Sequence, residues 1–78
     1  MRTLYAPRES APMVRLLISA ARLLTEPDEP NGEYIRGQAE LIMDACGLGG
    51  ERQDHDEARD TLTAAICGEP VCIVKEAS

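Results

Sequence analysis

The stretch YIRGQAELIMDAC, residues 34–46, decides how this chain folds. Ile35, Ala39, Ile42 and Cys46 recur at steps of four, three and four, which is one face of an α-helix. Glu33, Arg36, Glu40 and Asp44 fall on the opposite face. Gly37 stands in the middle, where glycine costs a helix about 1 kcal/mol relative to alanine. The reading is close approach by another backbone, with Ala20 and Ala21 on the preceding helix as counterparts. Gly47 followed by Leu48 reads as a Schellman stop, a left-handed glycine and then a hydrophobic residue folding back.

Working outward on the N-terminal side, Asn31 is the expected cap of this second helix, and Glu33 suits the positive end of its dipole. Before it, residues 27–30 (PDEP) read as a stiff acidic linker. The first helix is expected to begin with Ser10 as N-cap, its hydroxyl accepting from a free backbone amide. Pro12 is tolerated in the first turn, and Pro27 stops the helix near Glu26. Met13, Leu16, Leu17, Ala20, Leu23 and Leu24 read as its core stripe, with Arg15 and Arg22 on an exposed positive side. Residues 1–9 begin with a β-leaning run, Thr3-Leu4-Tyr5, closed by Pro7.

On the C-terminal side, Asp54 and Glu57 are spaced as an acidic capping box for a third helix. Its buried stripe is Ala58, Leu62, Ala65 and Ile66, and its stop is Gly68 with Pro70 beyond. Residues 71–74 (VCIV) are a run of β-favouring residues and read as a strand. The expected fold is mainly α: three short helices in a small bundle, with terminal segments able to pair as strands.

The 78 residues make one small domain with a light core, lacking Phe and Trp and holding two Tyr. Such cores are often helped by metal, disulfides or self-association. The net charge of −6 is uneven. Residues 1–25 hold four arginines against one acid, whereas residues 26–60 hold three arginines against eleven acids. A third helix bearing Asp54, Asp56, Glu57 and Asp60 against Arg59 would be repelled by phosphates, which argues against direct nucleic-acid binding. Residues 13–24 are interrupted by Arg15 and Arg22 and are too short to span a bilayer, so no membrane segment is expected. Three cysteines, an odd number, do not suggest a disulfide framework, and a cytoplasmic protein with reduced thiols is expected.

Little here carries chemistry. Cys46, His55, Cys67 and Cys72 are of ligand type but lack the close pairing of structural zinc sites. The acids around His55 read as caps and solvated charge, and no phosphate loop, nucleophile elbow or dinucleotide fingerprint is present. No catalytic residue, metal or cofactor is therefore assigned.

Residues 30–48, PNGEYIRGQAELIMDACGL, resemble small uncharacterised proteins of actinobacteria and their phages. Those carry a similar Asn-Pro-Glu-Tyr, Arg-Gly-Gln, Glu-Leu-Ile pattern and a Gly-Leu stop. The matching residues are Asn31, Glu33, Tyr34, Arg36, Gly37, Gln38, Glu40, Leu41, Ile42, Gly47 and Leu48, with Gly32 where proline is expected. The resemblance covers about a quarter of the chain and implies no activity. It implies a phage-encoded or actinobacterial accessory protein acting on a host protein.

The functional expectation is a non-enzymatic protein-interaction or regulatory module with a protein partner. The candidate contact residues are Arg15, Arg22, Tyr34, Arg36, Val71 and Ile73. The alternatives are a thiol- or metal-dependent regulator using Cys46, Cys67 and Cys72, and an acidic nucleic-acid mimic. A homodimer is expected, with the C-terminal strand contributing to its interface, since an unpaired apolar strand invites another.

Overall fold

In the computed structural model the terminal β-leaning runs find each other. The elements are β1 (Arg2–Pro7), α1 (Ala11–Leu24), α2 (Gly32–Cys46), α3 (His55–Ile66) and β2 (Val71–Glu76). The structure describes residues 1–25, 32–50 and 52–76. The linker at 27–30, the Asn31 cap and the Glu26–Pro27 stop lie outside them.

β1 and β2 pair in parallel, in register from Arg2 opposite Val71 to Pro7 opposite Glu76. Parallel neighbours need a long crossover, and the three helices supply it. Both strands run past the 3–5 and 71–74 segments expected of them, because pairing lets flanking residues with weaker preference join the ladder. Leu4 and Ala6 are fully buried, and Val71 and Ile73 pack against the same core. Val71, Ile73 and Val74 are half-buried and Cys72 is exposed, so intrachain pairing covers the apolar C-terminal run in part.

An open strand edge exposes unpaired backbone groups. On β1, a side chain closes it. The Gln53 Nε2 donates to the Thr3 carbonyl at 2.9 Å, and the Tyr5 N–H donates to Gln53 Oε1 at 3.2 Å. Residues two apart on a strand point their backbone groups to the same edge, so one amide meets a donor and an acceptor as a neighbouring strand would. Gln53 is only 4% exposed. The Arg52 guanidinium lies over the Tyr5 ring, 5.8 Å from its centroid.

The helix ends follow their signals closely. Asp54 caps α3, its Oδ1 accepting from the Glu57 N–H at 2.7 Å. Gly47 has φ +66°, and the Leu48 N–H reaches back to the Met43 carbonyl, the long bond of the Schellman motif. Gly68, at φ +102°, ends α3 likewise, with the Gly68 and Glu69 amides on the carbonyls of Ala65 and Ala64. Ser10 occupies the N-cap of α1, but its side chain makes no capping bond. Its helix-like φ of −91° and ψ of −14° depart from the extended geometry a capping hydroxyl needs.

The buried faces of α2 and α3 are the expected ones: Ile35, Ala39, Ile42 and Cys46 on the first, Ala58, Leu62, Ala65 and Ile66 on the second. The face of α1 is not. Ala11, Val14, Ile18 and Ala21 are buried, whereas Met13, Leu16, Leu23 and Leu24 are exposed and Leu17 is half-buried. The helix has two apolar stripes. The one with smaller residues lets it lie close to the sheet and its neighbours, and it is the one turned inward.

Gly37 corrects a second expectation. Among the described residues nothing lies within 4 Å of where its Cβ would stand, so none of their backbone approaches it. Gly37→Ala should raise the unfolding free energy by about 0.5–1 kcal/mol, since alanine is the better helix former and has room. Chemical denaturation followed by circular dichroism checks this; a loss of stability would restore a close contact at this position.

Candidate protein-interaction surface

Four of the six expected contact residues meet in one place. Arg15, Arg22, Val71 and Ile73 line a hollow of about 220 Å³ where α1, α3 and β2 join, with Ile18, Ser19 and Ala65. Tyr34 and Arg36 are exposed on α2 and do not line it.

Arg22 is turned toward α3. Its Nε donates to the Ala65 carbonyl at 2.6 Å, and its Nη2 to the Glu69 carbonyl at 3.4 Å. It meets backbone acceptors at the C-terminal end of α3, where the helix dipole is negative. Arg22→Ala should then cost about 1–2 kcal/mol, because a charged donor is lost from the part-buried Ala65 carbonyl. Thermal unfolding measures this, and a change within about 0.3 kcal/mol would mean that the cap is solvated in solution.

Of the acids on α2, Glu40 is engaged with α3. Glu40 meets the His55 Nε2 at 3.1 Å and the Arg59 Nη1 at 3.5 Å. Asp56 completes the cluster at 3.4 Å from Arg59 Nη2 and 3.7 Å from His55 Nδ1. Arg59 Nε is buried with no hydrogen-bond partner among the described residues; the Asp60 carboxylate stands 4.0 Å away. These pairs stitch α2 to the first turn of α3 on a largely solvated face, which is ordinary surface ion pairing.

The cysteines do not converge. Cys46 is buried, and that burial raises its pKa, holding it as an inert thiol. Cys67 and Cys72 are exposed and free. Among the described residues, no group of three or more His, Cys, Asp or Glu is placed to hold a metal. No described helix is long and apolar enough to cross a membrane.

The surface that the sequence reading missed lies between α1 and α2. Leu17, Ala20 and Leu24 on α1 face Gln38, Leu41 and Ala45 on α2 across an apolar groove of about 430 Å³. Leu41 is 63% exposed at its rim, and Tyr34, seven residues earlier, lies along the same line of α2. Neither the family models nor the curated proteins nor the solved structures compared with this chain give a match. The site must be judged on its own chemistry. The groove offers shape and apolar area, with no titratable side chain among the described residues of its lining. That suits packing against another protein. The signal was present as the leucine stripe of α1, but its spacing also fits a core face, and spacing alone does not choose between two stripes.

Proposed function

We propose that this chain is a non-enzymatic interaction module that works by protein–protein contact through its α1–α2 face. One observation carries the reading. Leu16 and Leu23 are 70% and 88% exposed beside an open apolar groove, a contiguous patch of the kind that marks interaction sites. The resemblance of residues 30–48 supports a phage or actinobacterial accessory protein, for which contact with a host protein is the natural role.

The test is paired capture. Wild-type protein and a Leu16→Glu/Leu23→Glu variant are immobilised and exposed to one cell extract spiked with a tagged copy of the chain. The expected result is a protein, the tagged copy included, retained by the wild type and lost by the variant. Identical retention by both would overturn the reading.

A further inference from the structure

α1 has two apolar sides, and the fold covers one. Its only polar strip, Arg15, Ser19 and Arg22, borders the hollow beside α3 and β2. The remaining arc carries Met13, Leu16, Ala20 and Leu23 at steps of three, four and three, the spacing of a helix-packing seam. A helix apolar nearly all round is normally buried. Resting on the protein-contact reading, we infer that a second copy of this chain covers this face, docked α1–α2 against α1–α2 about a two-fold axis.

The occupant follows from the patch itself. Leu16 and Leu23 form a ridge, and the groove between Leu24 and Leu41 runs beside it. A surface that carries both a ridge and a groove can complement itself under a two-fold rotation, each ridge entering the other's groove. A lone helix laid in the groove would leave the ridge bare. Charge permits the match: the chain is at −6, but among the described residues neither the groove lining nor the seam contains a charged side chain. The exposed acids Asp54, Asp56, Glu57 and Asp60 belong to α3 and its cap, which line no part of the groove. The area suffices as well. The exposed leucines and groove walls of two copies amount to on the order of 1,000 Å², the lower bound for a specific interface. A light core in a short chain gains from that burial.

Sedimentation equilibrium across a wide concentration range tests the inference on the full chain, comparing wild type with Leu16→Glu/Leu23→Glu. Both positions are exposed in the single chain, so the variant should fold, with circular dichroism as the check; Leu41→Glu serves as a second variant should the first not fold. A wild-type dimer whose dissociation constant weakens at least 100-fold in the variant is expected. A dimer that survives both substitutions joins elsewhere, such as the outer edge of β2, and overturns the inference. So does a wild type monomeric at every concentration. A dye for apolar surface then separates the two claims. Dye bound by a monomeric wild type but not by the variant leaves the face to a different protein, and the contact reading stands. No dye bound by either removes both.

Discussion

Leu62→Ala is expected to lower the unfolding free energy by about 2–5 kcal/mol. Leu62 is fully buried and, with Leu4 and Val14, is among the largest such side chains. The core has no Phe or Trp to share the load. Removing the side chain takes away its transfer free energy and leaves a cavity in the core. A domain this short has a modest margin, so the variant should be largely unfolded at room temperature or close to it. Urea denaturation followed by far-ultraviolet circular dichroism measures the loss. A change below about 1 kcal/mol would put Leu62 outside the core and break the packing described for α3.

Gln53→Ala is the second large effect, and it acts through the backbone of β1. The substitution removes the donor to the Thr3 carbonyl and the acceptor for the Tyr5 amide. Leaving such groups without their partners costs about 1–3 kcal/mol, less whatever water entering the gap restores. A further consequence distinguishes this from a simple loss of stability. With its edge open, β1 can accept a strand from another chain, so the variant should aggregate more readily. Hydrogen exchange gives the clearest readout. The Tyr5 amide should lose far more protection than the global destabilisation accounts for, while the amides of α2 should follow the global change. Uniform acceleration across the chain would show that Gln53 is an ordinary core residue rather than a closure for the strand.

Those two residues also show what the sequence could reveal. Leu62 was legible because Ala58, Leu62, Ala65 and Ile66 repeat with helical spacing between a capping box and a glycine stop. Local rules of that kind also located α2, the Gly47 and Gly68 turns and the terminal strands. Gln53 was not legible. It sits in a loop, carries no periodic signal, and matters only because the fold brings it beside residues nearly fifty positions earlier. Gly37 misled for the opposite reason: glycine within a helix has a local cost, but whether anything approaches it is a tertiary fact. Arg22 reads as part of an exposed positive side, and that it meets the carbonyls at the end of α3 depends on the rotation of α1, which spacing does not fix.

That rotation also explains why the α1–α2 face does not stand out in the sequence. α1 carries Ala11, Val14, Ile18 and Ala21 on one side and Met13, Leu16, Ala20 and Leu23 on another. Burial of the larger side chains is worth more per residue, which favours the leucines as the core. The folded chain chooses the smaller set, which lets α1 sit close to its neighbours and places Arg22 on the end of α3. The leucines left outside are then available for contact, whereas Val71 and Ile73 of β2 are half-buried against the chain's own core.

The central claim is that the outer seam of α1 and the groove beside it meet their like. An isotope-filtered NOE experiment on a mixture of labelled and unlabelled protein tests it most directly. Intermolecular contacts between the methyl groups of Leu16 or Leu23 and those of Leu24, Leu41 or Ala45 are the expected result. Intermolecular contacts confined to β2, or none at concentrations where the leucine methyls are well resolved, would contradict it.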